Sequence, residues 1–155
     1  RPRIKSGVVG GRMPDDSHLL AEVFPKPAES SKSLGFELVS LDMTKMQTRV
    51  RFDGKREFTN PAGYIQGGYL SAMLDDTIGM LATMKTGTRA FPSTIDLHTT
   101  FLRPVRVGVI EVAARLRNIG RQVIFAEADL YDSRGKEAAR ARASLAINPM
   151  KAPAK

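Results

Sequence analysis

The sequence predicts an α+β domain, an antiparallel sheet with one long helix on one face. Three observations predict it. One apolar pattern, from Gly68 to about Lys85, has helical spacing and occurs early. Several segments of apolar–polar alternation follow it, joined by short turn signals. The helical pattern lacks a polar face, so the sheet is expected to enclose it.

The elements follow in order. Residues 1–16 have little periodicity and read as an arm. The Gly7, Gly10, Gly11 cluster has the wrong spacing for a dinucleotide fingerprint, and no strand precedes it. "SHLLAEVF" reads as a short helix with Ser17 as N-cap and Pro25 as its stop. "PKPAESSKS" reads as a linker or loop. Strands begin at Gly35. "FELVSLD" is followed by "TKMQTRVRF", in which Met46, Thr48, Val50 and Phe52 alternate with Lys45, Gln47, Arg49 and Arg51. Asp53-Gly54 is a hairpin-turn signal. After the helix, "STIDLHTTFL" alternates through Ile95, Leu97, Thr99 and Phe101. "VGVIEVAARLRN" puts Ile110, Val112, Ala114 and Leu116 on one face, and "QVIFAEADLY" does so with Ile124, Ala126, Ala128 and Leu130. "DSRGK" is a turn and "EAARARASLAI" a last strand. The expected organisation is an arm with a short helix over 1–34, one main domain over 35–147, and a tail over 148–155.

Composition narrows the function. The 155 residues amount to one domain with a core of its own. No Cys is present, which rules out disulfides, a thiol nucleophile and thiolate metal sites. The two histidines, His18 and His98, lie far apart and argue against a His-based metal site. No apolar run is long enough for a membrane helix. The opening "RPRIKSGVVGGRMPDDS" lacks a signal peptide's apolar region, so a cytoplasmic location is expected. Arg1 in place of Met points to a start further upstream. The net charge of +8 is compatible with nucleic acid or a polyphosphate ligand. The basic residues alternate with apolar ones along strands and accompany no nucleic-acid motif. They favour a basic surface or a small anion.

The helix poses the functional question. On a helical wheel Leu70, Met73, Leu74, Ile78, Leu81 and Met84 form one apolar stripe. Ser71, Ala72, Gly79 and Ala82 lie roughly opposite, and Asp75 sits among them. Its neighbour Asp76 reads as a solvated charge. A carboxylate on a crowded face of small residues is costly unless hydrogen-bonded or used. Before the helix come Gly67 and Gly68. Their N–H groups are free of helix bonds and lie at the positive end of the helix dipole. With no side chains in the way, a carbonyl oxygen gaining negative charge can approach them.

"N-P-A-G-Y-I-Q-G-G" followed by "A-M-L-D" resembles the hotdog-fold acyl-CoA thioesterases, specifically the phenylacetate-degradation (PaaI-type) branch. "STIDLHTTFLRPVRVG" and "NIGRQVIFAEADLYDSRGKEAARARASLAI" are similar to that family's strands. The resemblance covers roughly 35–147. It implies a long helix wrapped by a curved antiparallel sheet, in a homodimer or a dimer-of-dimers tetramer with sites at the subunit interface. It also implies hydrolysis of an aryl- or fatty-acyl-CoA thioester with no metal or other cofactor, coenzyme A being part of the substrate. Asp75 matches the catalytic carboxylate, as general base or nucleophile. Gly67 matches the glycine whose N–H polarises the thioester carbonyl, with Gly68 beside it. Asn60 matches a loop amide that holds the carbonyl or the attacking water. Thr94 matches a water-positioning hydroxyl, with Ser93 as its rival. Gly120, Arg121 and Arg103 fall where the family meets coenzyme A phosphates. Many members have His before the Gly-Gly pair, and here it is Gln66, which donates a hydrogen bond but does not shuttle protons at pH 7. An apolar tunnel is expected along Met73, Met80 or their neighbours, since methionine adapts to varied acyl shapes.

Two other readings compete. A non-catalytic acyl-CoA binding or sensing protein has no need of a carboxylate beside the thioester. A hotdog dehydratase or hydratase needs a catalytic His, and His98 reads instead as a packed or interface imidazole.

Overall fold

The computed structural model describes residues 15–151. Its helices are α1 (Leu20–Val23), α2 (Glu29–Leu34) and α3 (Gly67–Thr86). Its strands are β1 (Glu37–Asp42), β2 (Gln47–Gly54), β3 (Ala90–Phe101), β4 (Gly108–Ile119), β5 (Val123–Tyr131) and β6 (Glu137–Pro149). They form one curved sheet in the order β1-β2-β4-β5-β6-β3, with every pair antiparallel. The long helix α3 lies against β2 through β6. This is the hotdog arrangement of a helix wrapped by its sheet, as expected. No helix among the described residues is long and apolar enough to cross a membrane.

The core follows from two periodicities. Leu70, Met73, Leu74, Ile78, Leu81 and Met84 are all buried, so the predicted stripe is the face toward the sheet. They meet the inward set of each strand: Val50 and Phe52, Ile110 and Val112, Ile124 and Leu130, then Ala141, Ala143 and Leu145. Each fully buried Leu, Ile or Phe contributes about 1.5–3 kcal/mol.

Several local expectations are corrected. Ala82 is fully buried rather than on the small-residue face. Met73 and Met80 are buried in the core of the chain. Ser17 is no N-cap. It opens a 3₁₀ turn, Ser17–Leu19, that leads into α1, and it bonds Asp15. The supposed linker contains α2, because Gly35 provides a strong stop. At φ +72° it closes a Schellman motif, in which its own N–H donates to Lys32 O and the Phe36 N–H donates to Ser31 O. Asp53-Gly54 is no hairpin turn. Gly54 ends β2 opposite Gly108, so close that a Cβ would meet the Gly108 carbonyl oxygen at 2.6 Å. The last strand runs on to Pro149, which pairs with Ala90, so the expected tail at 148 begins inside β6. The expected arm lies outside the described residues as far as residue 14.

Candidate active site

The start of α3 is pinned from both sides by backbone bonds. The Ile65 N–H donates to Val105 O at 2.8 Å, and the Gln66 N–H donates to Phe58 O at 2.8 Å. Phe58 and Tyr69 stack with ring centroids 4.2 Å apart. The helix begins at Gly67, one residue earlier than expected, with Gln66 as N-cap. The Gln66 side chain makes no capping bond, so it does not occupy the first N–H groups of the helix.

Beside this helix end lies a cleft of about 480 Å³ lined by Asn60, Tyr64, Gly67, Phe101 and Arg103, among others. The Asn60 carboxamide is already sorted: its Oδ1 accepts from the N–H groups of Ala62 (3.0 Å) and Tyr64 (3.2 Å). That use of the oxygen leaves the NH₂ as the group available to a ligand. A Cβ on Gly67 would stand 3.0 Å from Cζ of the Phe101 ring, so the glycine sits tightly against the tip of that ring. At Gly68 nothing lies within 4 Å, and the approach is open. Tyr64 and Phe101 lie within the quoted motifs, but the sequence reading gave neither a place at the site.

Asp75 is elsewhere. Half-buried on α3, it accepts a hydrogen bond from Thr94 Oγ of β3 at 2.8 Å. The rival Ser93 is engaged by Asn148 Nδ2 at 2.9 Å. Between the two ends, Ser71 donates to Thr99 at 3.3 Å. Helix and strand therefore run in opposite directions, with Gly67 at Phe101, Ser71 at Thr99 and Asp75 at Thr94. Eight helical residues separate Gly67 from Asp75, about 12 Å along the axis.

The proposed phosphate contacts divide the same way. Arg103 lines the cleft beside Gly67. Gly120 and Arg121 lie in the β4–β5 turn. There Val123 pairs with Ala146, which pairs with Ser93. The turn is thus two strands from Thr94, roughly 10 Å across the sheet. Within one chain the candidate residues fall into two groups: Asn60, Gly67 and Arg103 at one end of β3, and Asp75, Thr94, Gly120 and Arg121 toward the other.

Asp76 differs from expectation. It is not freely solvated. Ser31 of α2 covers it and donates to Oδ1 at 3.0 Å, while Oδ2 is buried without a partner. Burial raises its pKa, the Ser31 bond opposes the rise, and the neighbouring Asp75 charge adds to it.

Residues 62–139, half of the chain, match the Thioesterase superfamily. The chain belongs to that superfamily. The thioesterase fold extends further than the matched segment. A crystal structure of a candidate thioesterase related to phenylacetic acid degradation, from Ralstonia eutropha JMP134, is 32% identical with a TM-score of 0.78. That similarity covers 84% of this chain and 98% of the other. A candidate esterase of Saccharolobus solfataricus is 28% identical over 143 residues, 92% of this chain and 100% of its own. Acyl-coenzyme A thioesterase 13 of Mus musculus is 32% identical over 77 residues, 49% of this chain and 54% of the mouse protein. Membership and these relatives support thioester hydrolysis as the chemistry, on a PaaI-type hotdog scaffold.

Proposed function

We propose that the protein hydrolyses acyl-CoA thioesters at a site shared by two copies of the chain. The observation that carries this is the separation of the half-sites. A donor end (Gly67 N–H, Asn60 NH₂) and a base end (Asp75 with Thr94) lie about 12 Å apart. One thioester cannot touch both. A two-fold related copy can lay its Asp75 beside the first chain's Gly67, and symmetry then yields two such sites. Strand β3 suits the contact. It is a sheet edge of twelve residues carrying exposed Phe91 and Ile95, an invitation to pair with another strand.

In such a site the thioester carbonyl accepts from the Gly67 N–H and the Asn60 amide. Charge that develops on that oxygen is stabilised by the helix dipole. Asp75 takes the proton of a water held by Thr94, or attacks the carbonyl itself. The C–S bond breaks as coenzyme A leaves; its sulfur takes the proton abstracted from water, on the direct route from the water that then opens the Asp75 anhydride, and Arg103, Gly120 and Arg121 hold its phosphates until it departs. Acyl-CoA as the substrate class is supported by this basic rim and by the mouse relative's name.

The test is complementation. Asn60→Ala and Asp75→Ala proteins, each inactive, are unfolded together and refolded as a mixture, and thiol release from acyl-CoAs is followed. Random pairing recovers roughly a quarter of wild-type sites, because one site of each mixed dimer carries neither lesion. Mixed dimers that form, bind substrate and stay inactive overturn the shared site.

A further inference from the structure

Strand β3 contains a break in register that determines where Thr94 points. Thr94 pairs with Leu145 and Asp96 pairs with the adjacent Ser144, so Ile95 is one residue too many. In an unbroken strand, residues of like parity share a face. Leu97 packs on the core and Thr99 meets Ser71 of α3, so odd positions after the bulge face the helix. Before the bulge the parity is reversed. Pro92 is buried and Thr94 bonds Asp75. Without the extra residue, the pairing of Leu97 and Thr99 with the helix would send Thr94 to the outer face. Ile95 itself is 61% exposed, so it gains no burial in this chain from the irregularity.

A bulge disrupts the ladder, and the disruption here is filled by a side chain. Asp96 Oδ1 accepts the Ser144 backbone N–H at 3.0 Å and also the Ser144 hydroxyl. Those two bonds, the hydroxyl first, hold the Asp96 carboxyl below the usual range, so it is ionised throughout the neutral region. A carboxylate that accepts two bonds across a strand pair clamps that pair at one register.

We infer that Asp96 is a positioning residue for the hydrolysis: by clamping β3 to Ser144 it holds the bulge that aims Thr94 at Asp75. Asp96 is exposed, two residues beyond Thr94, and acts only through Thr94. This rests on the proposed function for its catalytic meaning, but its geometric content stands without it.

Four proteins are compared with the wild type: Thr94→Ala, Asp96→Ala, the double variant, and Asp96→Asn. Loss of the clamp lowers kcat on the order of 10²-fold, the scale of a misplaced catalytic group, with KM nearly unchanged. The double variant is no slower than Thr94→Ala alone, because both lesions remove the same hydroxyl from Asp75. Asp96→Asn, which keeps a carbonyl acceptor for both Ser144 donors, retains most of the activity. Additive losses in the double variant, or an Asp96→Ala effect confined to KM, overturn the inference. Should Asp96→Ala fail to fold, Ser144→Ala removes one of the two clamping bonds and gives a smaller loss of kcat in the same direction; unchanged kcat there also overturns it. A crystal structure of Asp96→Ala, or of Ser144→Ala if the first does not fold, separates this idea from the function beneath it. Thr94 Oγ is expected to be displaced from Asp75, and a Thr94–Asp75 bond intact in Asp96→Ala refutes the positioning role even if the wild type released no thiol from any acyl-CoA. A wild type without thiol release, paired with a displaced Thr94, instead refutes the proposed function and leaves the bulge argument intact.

Discussion

Two adjacent aspartates on one helix have opposite circumstances. Asp75 has a hydroxyl donor and half-open surroundings, the setting of a group that works with water. Asp76 is tucked under α2 with a single donor, Ser31, and one oxygen stranded. Asp75→Asn is therefore expected to lower kcat by roughly 10²–10⁴-fold while substrate still binds, and Asp76→Asn to remain near wild type. Steady-state kinetics on both variants checks this. Asp76 has a separate signature in stability. Its pKa is raised on folding, so its contribution is most favourable below the unfolded carboxylate value of about 3.9 and is lost as pH rises through the folded value. Asn at this position does not titrate. The Tm difference between Asp76→Asn and wild type should shift in the variant's favour between pH 4 and pH 7. A difference that is flat with pH contradicts the burial argument.

Among the elements, α2 shows how one residue ends a helix and positions the next strand. Gly35 combines a left-handed backbone with a crowded site, where a Cβ would stand 2.7 Å from Asp53 Cγ and 2.9 Å from Asp53 Cβ. Gly35→Ala is expected to cost about 1–3 kcal/mol, from the left-handed penalty plus displacement of Asp53. Urea unfolding should show a lower midpoint with an unchanged slope. The same element carries Ser31, so a loosened α2 also exposes Asp76. The Gly-Gly start of α3 works by a different physics. Gly67 is needed for close approach to the tip of the Phe101 ring, with no unusual backbone angle, and a Cβ on Gly68 would meet nothing within 4 Å.

Over the whole molecule, the net charge of +8 is not spread evenly in its use. On the outer sheet face Arg49 and Arg51 pair with Glu111, and Arg115 pairs with Glu127, in a ladder of half-exposed ion pairs. Such pairs contribute little to stability. Arg121, in the β4–β5 turn, is exposed at the same end of the sheet as Asp75 and Thr94. Arg121→Ala is expected to raise KM for an acyl-CoA roughly 3–10-fold, equivalent to about 1 kcal/mol, with kcat little changed. Wild-type KM should rise with salt as well. Equal kinetics on a CoA thioester and on a truncated thioester lacking the nucleotide would count against a phosphate contact.

The sequence by itself determined the features that depend on spacing along the chain. The apolar stripe of α3 follows from a 3.6-residue period, and the inner faces of β2, β4 and β5 follow from a two-residue period, so both were legible without coordinates. Asp75 could be singled out because its neighbours on the wheel are small. The Gly-Gly pair could be placed at the helix start because it stands between a Pro/Gly loop and the first residue of the apolar stripe. Tertiary structure decided the rest, because those features depend on what a distant segment contributes. The β3 alternation read through Ile95 is wrong in parity before residue 96, since a bulge is created by pairing with β6. Asp76 looked solvated because Ser31, 45 positions away, is what covers it. The Asn60 carboxamide has a fixed orientation because Ala62 and Tyr64 engage its oxygen when the loop closes. Periodicity reports which face a residue occupies within its own element; burial and hydrogen bonding are properties of the pair, and the second member of the pair is brought in by the fold.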